Sequence, residues 1–256
     1  MSNIISVFTK PWKDITSEQL ADHVAKLGFT GIEFPLRTGY QAEPQNATVS
    51  LPKLAAVMKD HGIAITSVAS DTTEEVFAAC QEAGVPLIRI MAHVDVNKGY
   101  MACEAEWVRN LNALLPLCEK YNVKVGVQQH SGSCVFNTME LRHLLEQVDK
   151  RYIGGVWDAA HSGVAFENPV QALDIIWDYL FLVNFKNAYV KNDNGKFRPY
   201  FTVAQSGACD WAKAVAYLKS RGYSGVICMP AEYSDEENTN IHAVEDLKYL
   251  KNLLAE

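Results

Sequence analysis

Short apolar runs alternate with longer amphipathic segments along the chain. Residues 4–8, 29–34, 63–68, 85–91, 123–127, 154–158, 181–185 and 224–229 are brief and largely apolar. That is the pattern of strands buried on both faces. The segments between them carry helix signals. Thr16-Ser17-Glu18-Gln19 offers a capping box for a helix that stops at Gly28. Residues 51–60 predict a helix halted at Gly62, residues 73–81 another, and residues 103–121 a long amphipathic one. Asn137 caps a helix running to Val148, and a further helix covers about 169–178. Asp210 opens a helix to Gly222, and residues 241–254 close the chain as a helix. Residues 190–208 read as the longest loop, with Asn192-Asp193-Asn194-Gly195 as a turn inside it.

Strand and helix alternate about eight times, and no linker or low-complexity tract divides the chain. The expectation is α/β, a single (β/α)8 TIM barrel over residues 1–256. A doubly wound open sheet is the alternative. It calls for a Gly-rich turn after the first strand, and Phe8-Thr9-Lys10-Pro11 is nothing like one.

A barrel gathers the carboxyl ends of its strands at one mouth. Here those ends supply Glu33, His93, Gln128 with His130, Asp158 with His161, Asn184 with Lys186, and Glu232. Residues two apart on a strand share a face, so Gln128 pairs with His130 and Asn184 with Lys186. Gln129 and Asn187 are expected to turn away, toward helix starts. For Asp158-Ala159-Ala160-His161 alone, a plainer reading competes: the Asp caps the next helix and the His is satisfied by backbone.

Composition narrows the partners. A 256-residue chain that is 48% hydrophobic and 21% charged has ample material for a large core. The formal charge of −7, without a basic stripe, excludes nucleic acid as the expected partner. No apolar stretch reaches membrane-spanning length, so no membrane is expected. The start, Met1-Ser2-Asn3-Ile4-Ile5-Ser6, lacks a basic segment leading into an apolar run. Six scattered cysteines with no C-x-x-C pair read as reduced, buried thiols. Together these predict a cytoplasmic protein whose partner is neither nucleic acid nor a membrane. A homo-oligomer is left open.

Several motifs, in order along the chain, resemble the xylose-isomerase-like barrel family of sugar isomerases and epimerases. Gly28-Phe29-Thr30-Gly31-Ile32-Glu33 resembles its second-strand motif, and Asp158-Ala159-Ala160-His161 its sixth-strand Asp-x-x-His. Phe185-Lys186-Asn187 resembles part of a His-x-Lys-Asp stretch on the seventh strand. Gln205-Ser206-Gly207, Asp210-Trp211 and Gly222-Tyr223-Ser224-Gly225 resemble the approach to the last strand. The resemblance implies a divalent metal held by Glu, Asp, His and Glu on strands five to eight. The matching positions are Gln128, Asp158, Asn184 and Pro230, so only the Asp is kept. No cofactor is therefore expected with certainty, and any divalent metal on Asp158 is expected to be weakly bound or absent. Asp158, Glu232 and a histidine are the donors for a rebuilt site.

Without a metal, Lys186 can stabilise a developing enolate oxygen or bind phosphate, and His130, His161 and Glu232 can carry protons. Glu33, His93, Gln128 and Asn184 are the expected substrate contacts. Trp12 and Tyr233 can offer an apolar face to a sugar ring, while Trp157 is expected in the core. The leading expectation is a sugar or sugar-phosphate isomerase or epimerase, with a small-molecule, carbohydrate-like substrate. A metal-free carbohydrate-binding protein and a lyase or hydrolase on the same scaffold are the alternatives. Lys186→Met is expected to abolish ligand binding or activity with little change in melting temperature.

Overall fold

A computed structural model describes residues 3–256, leaving Met1 and Ser2 of the expected domain outside the described residues. The strands are β1 (Ile5–Phe8), β2 (Gly31–Pro35), β3 (Ala64–Ala69), β4 (Leu87–Met91), β5 (Lys124–Gln128), β6 (Ile153–Asp158), β7 (Leu180–Asn184), β8 (Asn187–Asp193), β9 (Lys196–Thr202) and β10 (Val226–Pro230). Eight of them close a parallel barrel in the order β1-β10-β7-β6-β5-β4-β3-β2, and β8 pairs with β9 outside it. The helices are α1 (Ser17–Leu27), α2 (Ala47–Asp60), α3 (Glu74–Ala83), α4 (Tyr100–Tyr121), α5 (Thr138–Leu145), α6 (Ala159–Val164), α7 (Pro169–Ile176), α8 (Trp211–Ser220) and α9 (Thr239–Ala255). The chain is a single (β/α)8 barrel.

Local chemistry sets the helix ends. At α1 both halves of the capping box form, and Gly28 takes the left-handed C-cap at φ 91°. Thr73, Asn137 and Asp210 cap α3, α5 and α8 through their side chains. Between barrel and helices lies a continuous apolar layer that includes Leu20, Phe34, Leu54, Phe77, Leu144, Trp157 and Trp211. All six cysteines are buried and free. Among the described residues no helix is long and apolar enough to cross a membrane.

Two departures from the predicted pattern shape the mouth. Residues 190–208 are not one loop. Asn194-Gly195 turns the chain with both residues at positive φ, and residues 187–202 form an antiparallel hairpin. The short helix α6, unforeseen, starts directly from the strand-terminal Asp158. The ladder register also shifts at Ile32/Glu33 and at Gly155/Val156, just before two of the strand-end carboxylates. Such irregularities re-aim side chains near a strand end.

Asn187 anchors the hairpin. Its Nδ2 donates to the carbonyls of Ala204 and Cys209, and its Oδ1 accepts from the amides of Ala188 and Cys209. A Cβ on Gly207 would lie 2.2 Å from this side chain, so the close approach requires glycine.

Candidate functional site

The carboxyl ends of the barrel strands converge on a cavity of about 90 Å³. Gln128 and His130 line it together, as do Asn184 and Lys186, with Glu232 opposite. Asp158 is fully buried beneath them. Gln129 and Asn187 do not line the cavity. Gln129 is buried against Thr138, the first residue of α5, and Glu167.

The floor is a chain of alternating charges. Glu33 accepts from Ser67 Oγ at 3.1 Å and from Arg89 Nε at 2.7 Å. Arg89 Nη1 donates to Gln128 Oε1, and Gln128 Nε2 donates to Asp158 Oδ2 at 2.6 Å. The amide thus faces a cation with its oxygen and an anion with its nitrogen. Lys186 Nζ lies 3.8 Å from Asp158 Oδ2 and 3.3 Å from Glu232 Oε2, and Lys10 caps the series on Glu232 Oε1 at 2.5 Å. Buried charges persist only when paired in this way.

The pairs fix the ionisation states. Burial opposes the charge on Lys186, but Asp158 and Glu232 outweigh it and hold its pKa above the usual lysine value. Burial likewise opposes the Glu232 carboxylate, but Lys186 and Lys10 prevail and bring it down to about 2. Both groups are therefore charged at neutral pH, the lysine as a donor and the glutamate as a weak base.

The two histidine rings are in contact, with centroids 3.9 Å apart and planes tilted by 41°. Ser131 sets both tautomers. Its carbonyl lies 2.7 Å from His130 Nδ1, so Nδ1 carries the proton and Nε2 the basic lone pair. Its amide donates to His161 Nδ1 at 3.2 Å, which puts the His161 proton on Nε2. That buried Nε2 has no partner among the described residues. Desolvation first, then the nearby Lys186, lowers the pKa of both rings below 6.5, so both are neutral at pH 7.

The donor set does not fit a divalent cation. Asp158 Oδ1 accepts from the amides of Ala160 and His161, capping α6, while Oδ2 faces Gln128 and Lys186. Its oxygens are thus committed to the plain capping role and to the charge chain. The Lys186 ammonium stands between the two carboxylates of the rebuilt site. Among the described residues no three His, Cys, Asp or Glu side chains converge as metal ligands.

Other expected residues lie elsewhere. Glu33 is fully buried behind Arg89, so it reaches the cavity only through that guanidinium. His161 sits against His130, outside the cavity lining. His93 is exposed on the rim beside Cys134 and lines a neighbouring groove of about 590 Å³. Trp12 and Tyr233 line a lobe of about 630 Å³ that shares Lys10 and Glu232 with the centre, and Trp157 is in the core.

Arg89, Arg37, Lys10 and Phe201 were not foreseen. Arg89 left a signal, as a charge inside the apolar run Leu87-Ile88-Arg89-Ile90-Met91. Phe201 arrives on the hairpin. Its backbone pairs with Ser234 after β10, and its ring lies 4.6 Å from Lys186 Nζ.

Comparison with known proteins agrees with this architecture. Inosose dehydratase of Salmonella typhimurium is 26% identical over 168 residues, 59% of this chain and 55% of that protein. The chain thus spans about half the length of that relative. Inosose dehydratase of Clostridium beijerinckii is 24% identical across 93% of this chain and 90% of its own length. Among solved structures, D-psicose 3-epimerase with D-tagatose from Clostridium cellulolyticum H10 superposes with a TM-score of 0.75 at 14% identity, covering 98% of this chain and 99% of that one. The probable 3-DHS dehydratase involved in petrobactin synthesis from Bacillus anthracis gives 0.77 at 14% identity and the same coverage. A family model matches residues 21–253, and the chain belongs to the xylose isomerase-like TIM barrel family.

Proposed function

We propose that the chain is an enzyme that moves a proton on the carbon beside the carbonyl of a polyhydroxylated ketone or aldehyde. The observation that carries this reading is one cavity lined by a neutral histidine base, His130, and a buried ammonium, Lys186. His130 Nε2 takes the proton as the C–H bond breaks, and the electron pair moves onto the carbonyl oxygen. Lys186 donates to that developing oxyanion, a role that suits a buried, protonated group. Asn184 Oδ1 is buried without a donor among the described residues, and it accepts from a substrate hydroxyl. Glu232, with its low pKa, holds Lys186 in place. His161 positions His130 by ring contact.

Returning the proton to the former carbonyl carbon, while the hydroxyl proton passes to the other oxygen, gives an isomer, and a proton delivered from the opposite face gives an epimer. If protonated His130 instead gives its proton to a hydroxyl on the next carbon, that group leaves as water and the product is dehydrated. The names inosose dehydratase and D-psicose 3-epimerase both describe reactions on polyhydroxy ketones, which supports proton removal as the common step. A whole sugar exceeds the 90 Å³ centre, since pockets for small molecules run from about 300 Å³ upward. The reacting end sits in the centre, and the remaining hydroxyls extend into the lobe lined by Trp12 and Tyr233.

Solvent deuterium is expected to enter substrate C–H positions when the protein is incubated with a panel of ketoses, aldoses and keto-inositols. Measurable binding without exchange across the panel would replace the enzyme with a non-catalytic sugar-binding protein.

The same reading proposes that Lys186 supplies the positive charge without a divalent ion. Elemental analysis after dialysis without chelator is expected to show far less than one metal per chain. About one Mn, Zn, Co or Mg per chain, lost in Asp158→Ala, is the contrary result.

A further inference from the structure

The charges at the mouth do not balance. The central cavity is lined by Lys10, Arg37, Arg89 and Lys186, and by one carboxylate, Glu232. Behind the wall, Glu33 is committed to Arg89 and Asp158 to Gln128 and Lys186. Among the described residues Arg37 forms no ion pair, whereas Lys10, Arg89 and Lys186 all do. A surplus cation at the barrel centre is unexpected in a chain of formal charge −7.

Arg37 and Arg89 line the same two cavities and approach the same ring. Their guanidinium carbons are 6.0 and 5.0 Å from the centre of the same ring, that of Phe8. Arg89 is pinned through Nε and Nη1, while its Nη2 has no acceptor among the described residues. Both arginines also line the 590 Å³ groove, beside the hydroxyl residues Thr38, Ser70 and Thr72. Asp71, exposed at the edge, is the one carboxylate lining that groove. Planar guanidinium donors with nearby hydroxyls recognise carboxylate and phosphate oxygens.

We propose, on the basis of the reading above that this mouth binds a polyhydroxylated carbonyl compound, that the substrate carries an oxyanion group, carboxylate or phosphate, held between Arg37 and Arg89. The anion supplies the missing negative charge. The carbonyl then lies toward Lys186 and His130, with the anion on the side of the mouth formed by β2 and β4.

Three probes test this by titration calorimetry: a ketohexose phosphate, a 2-keto-aldonate and the neutral ketohexose. At least one anionic probe is expected to bind about tenfold tighter than the neutral sugar. Whichever anionic arm binds tighter identifies phosphate or carboxylate as the group. Arg37 is exposed, so Arg37→Gln is expected to fold normally and to remove the preference, while Arg37→Lys restores part of it. Added salt is expected to weaken the anionic arm selectively. Equal affinities, a preference that survives in Arg37→Gln, or no anionic binding up to about 10 mM overturns the proposal. Deuterium exchange is scored separately. An anion preference without exchange keeps this site and removes the catalytic reading; exchange with neutral sugars alone does the reverse.

Discussion

Lys186→Met is expected to destabilise the protein by about 3–5 kcal/mol, the usual cost of stranding a buried partner charge. The side chain is 4% exposed and faces Asp158 at 3.8 Å and Glu232 at 3.3 Å. Methionine fills a similar volume but leaves both carboxylates facing each other without the ammonium. For a chain of this size the loss corresponds to a fall of roughly 10 °C in melting temperature. This replaces the expectation of a nearly unchanged melting temperature, which treated Lys186 as a group open to the mouth. Glu232 keeps Lys10, so the stranded charge is Asp158; adding Glu232→Gln to Lys186→Met removes the second carboxylate beside it and is expected to recover part of the loss, so the two changes are non-additive. Denaturant unfolding of both single variants and the double variant checks this. A loss below about 1 kcal/mol in Lys186→Met would show that the ammonium is not needed to hold the mouth together.

His130→Gln is expected to reduce solvent exchange into substrate by about 10²–10⁴-fold, the range typical of a positioned general base. The ring is half-buried, so the stability cost is expected to be small, on the order of 1 kcal/mol. The sign of the pH dependence follows from the lowered pKa. Burial and then Lys186 disfavour the imidazolium, so the base form is complete at pH 7 and is lost as pH falls through a value below 6.5. Stability moves the same way. The unfolded chain binds this proton near 6.5 and the folded chain only at lower pH, so acid weakens the fold across that window. Exchange rates measured from neutral pH into the acid range give the profile. A rate that rises on acidification, or survives intact in His130→Gln, removes His130 from the proton-transfer step.

The barrel was legible because its signals are local. The capping box at Thr16, the αL glycine at Gly28 and the short apolar runs each form from neighbours in sequence. The strand-end rule also placed five of the proposed residues on one cavity, because the alternation of side chains carries Gln128 with His130 and Asn184 with Lys186. It could not pair them. Glu33 meets Arg89 and Lys10 meets Glu232 only when the barrel closes, and no spacing encodes those contacts. Arg89 lies in a strand interior, where the strand-end pattern gives no signal. Only the turn of the hairpin shows in the sequence. Asn194-Gly195 marked the turn, but exposed charges and Pro199 hid the strands on either side. Without those strands nothing brought Phe201 over Lys186.

Asp158 gives the molecule a built-in spectroscopic probe. One carboxylate oxygen receives the amides of Ala160 and His161, and the other faces Gln128 and Lys186. The two oxygens share one delocalised charge, so a drain on one side is felt on the other. Nitrogen and proton shifts of those two amides therefore register what a bound molecule does to Lys186, even when it touches neither amide. Their resonances offer a way to follow occupancy of the mouth in solution, residue by residue, with no label on the ligand.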